Sequence, residues 1–173
     1  AARPACDALQ NARLGLIESG DLHIGRDLQP GPALNALLAQ VAQTLRDAGL
    51  LRGWRDELLD VSAEEQALGV IERTATRSLG LRTRAVHLNA WTPEGGLWVA
   101  RRALNKSTDP GMWDTLVGGL AGSGEALDQA LLRESEEEAG LKPHELTRRT
   151  PLRTIFCMRR RLPEGYQVED LLT

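Results

Sequence analysis

Between Leu127 and Leu141 the chain reads Leu-Asp-Gln-Ala-Leu-Leu-Arg-Glu-Ser-Glu-Glu-Glu-Ala-Gly-Leu. On a helix, Leu127, Leu131, Glu134 and Glu138 follow one another at steps of four, three and four, so they form one stripe. Its first turns are apolar and point at a core. Its later turns carry carboxylates in the same direction, with Glu137 three residues after Glu134. Like charges at this spacing repel and raise one another's pKa. A hard divalent cation removes that cost, and carboxylate oxygens are the ligands that Mg²⁺ or Mn²⁺ prefers. An acidic run is more commonly a solvated face. Two features oppose that here: glutamates at a helix C-terminus run against the macrodipole, and these ones extend the apolar stripe instead of facing away from it.

The elements that must position this stripe can be read on either side of it. A short apolar piece, Thr115-Leu116-Val117, ends in Gly118-Gly119, and a glycine-rich stretch to Gly124 opens a helix from about 125 to 139 that Gly140 closes. Backbone N–H groups of such a loop at a helix start suit a phosphate, although a tight strand-to-helix turn needs the same glycines. Upstream, Val86, Leu88 and Ala90 alternate with His87, Asn89 and Trp91 as in a half-buried strand. The turn Thr92 to Gly96 and the strand Leu97 to Ala100 then complete a hairpin. Arg101, Arg102 and Lys106 follow it and are candidate phosphate contacts. Downstream, 153–158 and 166–172 flank the turn Pro163-Glu164-Gly165 as a second hairpin.

The fixed positions Gly119, Glu125, Arg133, Glu134, Glu137, Glu138, Gly140 and Leu141 resemble the Nudix box, with Ser135 standing where that box carries a bulky aliphatic residue. The resemblance implies that Glu134, Glu137 and Glu138 hold divalent metal, Mg²⁺ or else Mn²⁺. It also implies that Arg133 orients a glutamate, with Glu137 at i+4 as the candidate, and that Glu125 supports the site from the helix start. Gly119 would allow close approach, its carbonyl joining the metal. The implied activity is hydrolysis of a pyrophosphate linkage by metal-activated water. A narrower resemblance covers Leu79 to Ala90, Ala100 to Lys106 and Pro110 to Gly119. It is to a Nudix subgroup with an extra N-terminal domain, associated with thiamine pyrophosphokinase and with cleavage of thiamine diphosphate and its damaged forms. In that setting Trp113 is a candidate to stack on a ligand ring, with core packing as the alternative.

The implied fold is α+β: a Nudix α/β/α sandwich over 81–173 preceded by a small α+β domain over 1–80. In the N-terminal part, 5–18 reads as a helix and 20–32 as a loop. Leu34, Leu37, Leu38, Val41 and Leu45 mark the clearest helix, with Pro32 near its start and Gly49 after its end. Residues 54–61 and 70–76 read as short strands. A Nudix domain needs more strands and a final helix after the box, yet only 32 residues follow Leu141. The expectation is a sequence that stops short, or a partner that completes it.

Composition narrows the partners. The chain has 173 residues, 42% hydrophobic, and a net charge of −3, enough to bury a core and without a field for nucleic acid or an anionic membrane. No apolar run reaches the ~20 residues of a membrane helix. Cys6 and Cys157 lie far apart and His23, His87 and His144 are scattered, so neither a disulfide framework nor a Cys/His metal site is indicated. The expected partner is a small-molecule diphosphate in the cytoplasm, with a homodimer left open. Three other readings compete: hydrolysis of a nucleoside diphosphate derivative such as ADP-ribose or a nucleotide sugar, a non-catalytic diphosphate-binding module, and isomerase chemistry, for which Cys157 is the nearest thiol.

Overall fold

The computed structural model describes residues 1–173 except Glu65, Ser107 and Thr147. Ser107, next to the candidate phosphate contact Lys106, lies outside the described residues. The chain divides into two compact units: 1–83 with 122–124 and 158–169, and 84–121 with 125–157 and 170–173.

The first unit is built on two helices. Helix α1 (Arg3–Asn11) is shorter than the 5–18 expected. Arg13 adopts a left-handed φ of 59°, which ends the helix, and the chain turns into a small hairpin of β1 (Leu16–Glu18) and β2 (Asp21–His23). Leu16 and Ile17 are therefore strand residues. Helix α2 (Pro32–Asp47) matches its apolar spacing, and Gly49 follows it at φ 69°. Its Leu34, Leu38, Val41, Ala42 and Leu45 pack with Ala5, Leu9, Ile71, Ala75 and Leu79 into one core.

Strands β3 (Leu58–Ala63) and β4 (Gln66–Glu72) form an antiparallel pair from Leu58↔Glu72 to Ala63↔Gln66, with a bulge at 61/62. The expected strand over 70–76 thus ends at Glu72, and helix α3 (Ala75–Leu79) follows. Glu72 is 3% exposed, yet its carboxylate accepts the amides of Arg55 and Glu57 and the hydroxyl of Thr74. A buried carboxylate so satisfied is a structural brace.

The remaining strands are β5 (Arg82–Leu88), β6 (Ala90–Trp91), β7 (Leu97–Arg101), β8 (Trp113–Thr115), β9 (Val117–Leu120), β10 (Thr154–Leu162) and β11 (Gly165–Leu172). A four-stranded sheet runs β10-β11-β5-β9, and a three-stranded one β6-β7-β8. The 86–91 run, expected as one strand, is split at Asn89. Its first part pairs with β9, and only Ala90 and Trp91 join the hairpin with β7. Val86 is buried and Trp91 exposed as the alternation expects, but His87, Leu88, Asn89 and Ala90 between them are all half-buried. The hairpin of β10 and β11 stands where its turn residues put it. Helix α4 (Leu127–Ala139) carries the glutamates and ends at Gly140 with φ 68°. Among the described residues no helix is long and apolar enough to cross a membrane.

Candidate active site

The site lies within the second unit, where α4 packs on β9. Leu131 and Ala130 are buried against Val86, with Leu88, Ala121, Leu127 and Leu152 around them. This burial fixes the rotation of α4, and at about 3.6 residues per turn it carries Glu134 inward one turn later. Glu134 is 9% exposed, while Glu137 and Glu138 reach the surface. Ser135 is fully buried on the same inner face, and its hydroxyl donates to the Leu131 carbonyl at 2.6 Å. The small residue therefore satisfies its own polar group within the helix and takes nothing from the glutamates.

Glycine at 119 is required by the packing. A Cβ there would stand 1.9 Å from Glu134 Cδ, so only a bare backbone lets β9 lie over the buried carboxylate. Gly119→Ala is expected to cost about 1–3 kcal/mol through overpacking, read by urea denaturation. A loss well below that range would show that Glu134 swings aside freely.

Arg133 ties the carboxylates together. Its Nε and Nη2 donate to the two oxygens of Glu125 at 2.8 and 2.9 Å, a bidentate fork, and Nη1 donates to Glu134 Oε1 at 2.8 Å. Nη2 also donates to the Leu120 carbonyl at 3.1 Å. Glu137, expected as the main partner, lies at 3.4 Å from Nη1 and is the weakest of the set. Glu138 turns the other way: its Oε2 accepts the Gly118 amide at 3.1 Å, and Lys106 Nζ lies 3.9 Å from its Oε1.

These contacts set the electrostatics. Burial pushes the Glu134 carboxyl above the usual glutamate range, against the pull of Arg133, and Glu138 and Glu137 add to the rise. Arg133 is held firmly protonated, first by its bond to Glu125. A carboxyl whose folded pKa is raised adds stability below its unfolded pKa and loses it as pH rises through the folded value. In metal-free buffer the stability of wild type relative to Glu134→Gln should therefore fall as pH rises from the usual glutamate range through the raised pKa. Urea denaturation at a series of pH values checks this; a constant difference would contradict it.

The other expected contacts divide. Arg102 donates to Asp114 Oδ2 at 2.7 Å and, from Nε and Nη2, to the Thr108 carbonyl, so its guanidinium holds the loop after β7. Arg101 is exposed and donates to the Gly111 carbonyl at 3.1 Å. Trp113, paired with Arg101 across β7 and β8, is 70% exposed; core packing, its alternative fate, does not occur. Cys157 is exposed on β10.

One neighbour was not legible from spacing. The β5–β9 register sets His87 opposite Gly118, and its Nδ1 is 2.8 Å from Thr115 Oγ1. A Cβ at Gly118 would stand 2.8 Å from that nitrogen, so the second glycine of the pair admits the ring. Only strand register, which a lone His does not reveal, brings it beside the amide that binds Glu138.

Part of the glycine-rich loop is already engaged. In the first unit, Ser123 donates its hydroxyl to Asp60 Oδ1 at 2.7 Å and its amide to the Leu58 carbonyl, and the Gly124 amide donates to Asp60 Oδ2. These amides close a turn, and the phosphate cradle expected of them is not formed.

Among the described residues no group of three or more His, Cys, Asp or Glu side chains stands poised around one point for a metal ion. The residue types nevertheless fit one. Three hard carboxylates lie on adjacent turns, and the innermost is buried, held by Arg133 and packed against the bare backbone of Gly119.

The second unit thus joins a strand, a glycine pair and an arginine-braced glutamate helix in an α+β arrangement. Compared with known families, residues 81–164 match the NUDIX domain, just under half of the chain. The chain is 38% identical over 109 residues to the chloroplastic Nudix hydrolase 24 of Arabidopsis thaliana, covering 60% of this chain and 30% of that protein. It is 43% identical over 86 residues to an uncharacterized Nudix hydrolase of Streptomyces coelicolor, covering 49% of this chain and 48% of that one. A more distant similarity, 32% over 106 residues, is to the isopentenyl-diphosphate Delta-isomerase of Salmonella arizonae, covering 59% and 55%. The chain thus spans between about a third and about half of the relatives it matches.

Proposed function

We propose that this chain is a divalent-metal-dependent hydrolase of the pyrophosphate linkage in a small diphosphate compound. The observation that carries the reading is the Glu134 cradle: a buried carboxylate braced by Arg133 and packed directly against Gly119, where any side chain would collide with it. The similarity to Nudix hydrolases supports the same reading.

Glu134, Glu137 and Glu138 are the residues that would hold Mg²⁺, or Mn²⁺, with the Gly119 carbonyl beside them. When bound, the cation offsets the charge of the diphosphate and lowers the pKa of an attacking water. Glu125 fixes the Arg133 guanidinium by its fork, and Arg133 in turn fixes Glu134, so that this carboxylate stays in one orientation as charge develops. Lys106, beside Glu138, and the exposed Arg101 provide positive charge for the phosphates. Trp113 offers an exposed ring face for the non-phosphate part of the substrate. Arg102 keeps the loop bearing Lys106 in shape.

For substrate, the resemblance of 79–119 favours thiamine diphosphate or a damaged form of it; ADP-ribose or a nucleotide sugar is the alternative. A soluble cytoplasmic setting and a dimer belong to the same proposal. The metal set is tested by Mn²⁺ titration followed by electron paramagnetic resonance. Wild type is expected to bind saturably, and Glu138→Gln about tenfold or more weakly, a loss of about 1.4 kcal/mol. Equal binding by both would overturn the assignment.

A further inference from the structure

Successive residues of a strand point to opposite faces, and the register of β5 with β9 makes Val86↔Gly119 and His87↔Gly118 neighbouring pairs. Val86 and Gly119 face α4, through Leu131 and Glu134 respectively. His87 and Gly118 point to the other face. There a Cβ on Gly118 would stand 2.8 Å from His87 Nδ1 and 2.9 Å from Cε1, so the imidazole rests on bare backbone. The glycine pair is thus held between Glu134 on one face and His87 on the other. Strand β9 is the last of its sheet, and the Gly118 amide leaves the ladder to donate to Glu138 Oε2 at 3.1 Å.

The ring is itself fixed. Thr115 Oγ1 has one proton, which goes to the Val117 carbonyl at 2.8 Å, a group that only accepts. His87 Nδ1, 2.8 Å from the same oxygen, is therefore the donor to it. Asp114 fixes Thr115 in turn: its Oδ1 accepts the Thr115 amide at 2.8 Å while its Oδ2 accepts Arg102. At the far end, Lys106 Nζ is 3.9 Å from Glu138 Oε1, too distant to fix that carboxylate in the place of the amide.

We propose that His87 and Thr115 are positioning residues for Glu138: their hydrogen bond seats the imidazole on Gly118 and so aims the Gly118 amide at the carboxylate. The inference rests on the reading of Glu138 as a metal ligand. Neither side chain need touch metal or substrate. A histidine that only filled space would affect stability and leave the hold on Glu138 as it is.

The test has a metal-free arm and a metal arm. In EDTA, hydrogen exchange of the Gly118 amide is followed by nuclear magnetic resonance, with the amides of β5 and α4 as the measure of general loosening. His87→Ala and Thr115→Val should each speed exchange at Gly118 about threefold or more beyond those amides. Thr115→Ser, which keeps the hydroxyl, should exchange as wild type does. In Mn²⁺ titration followed by electron paramagnetic resonance, His87→Ala and Thr115→Val should each bind about tenfold or more weakly, and Thr115→Ser should restore binding. Adding His87→Ala to Glu138→Gln should change affinity less than about twofold, since both act on one carboxylate. Unchanged Gly118 exchange in both variants overturns the proposal, as does a further tenfold loss in the double variant. Failure of wild type to bind Mn²⁺ overturns the metal reading instead, and the EDTA arm still decides whether His87 and Thr115 hold Gly118 on Glu138.

Discussion

Replacing Glu138 by Gln, or Glu137 by Gln, is expected to lower diphosphate turnover about a hundredfold or more, equivalent to about 2.7 kcal/mol in the barrier. Gln keeps the size and one oxygen of Glu but removes the charge on which a hard cation depends. Both side chains are exposed at the end of α4, so the core of Ala130, Leu131 and Val86 has no part in the change and folding should persist. Circular dichroism and urea denaturation would establish that persistence, and steady-state rates would give the loss. If the acidic run were a solvated face, the rates would not move.

The second large effect falls on Arg133. Arg133→Lys keeps the positive charge but cannot reproduce the fork on Glu125 while also reaching Glu134 and the Leu120 carbonyl. Residues that orient metal ligands typically contribute about 10–100-fold to affinity or activity, and a loss in that range is expected in kcat. Stability should fall as well, because a charge-assisted hydrogen bond contributes about 1.5–3 kcal/mol and Glu134 would be left buried with a poorer partner. Raising Mg²⁺ should restore part of the activity lost in Arg133→Lys, since the carboxylates themselves remain. A purely structural arginine would show the stability loss without that metal-dependent recovery.

Where the sequence carried its own punctuation, structure was legible from it. Pro32 and Gly49 bracket α2, Gly140 ends α4, and Pro163-Glu164-Gly165 turns β10 into β11, because each rests on the local φ preference of its residues. The glutamate stripe was legible for the same kind of reason: helical periodicity put Glu134 on the face of Leu131, and Glu134 is indeed buried there. Arg133 was harder. The i+4 rule pointed to Glu137, but the guanidinium turns back along the helix to Glu125 and Glu134, which one-dimensional spacing does not rank.

What failed depended on long-range pairing. Leu16 and Ile17 fit a helical pattern, and only the left-handed Arg13 and the close fit of Gly15 against Leu22 send them into a hairpin. In β5 the neighbours Ala85 and Val86 are both buried, and the run breaks at Asn89, after which Ala90 and Trp91 pair with β7 in a second sheet. Glu164 read as an ordinary turn residue, since burial by Gly165 against α3 has no signature in sequence. His87 was invisible for want of register.

The most direct measurement follows ³¹P nuclear magnetic resonance spectra of the chain with thiamine diphosphate, ADP-ribose and nucleotide sugars, with Mg²⁺ or Mn²⁺ and then with EDTA. The account predicts that at least one diphosphate resonance is replaced by phosphate-monoester signals, only with metal and not in Glu138→Gln. No turnover of any diphosphate with either metal would contradict it, as would a product whose diphosphate linkage is intact.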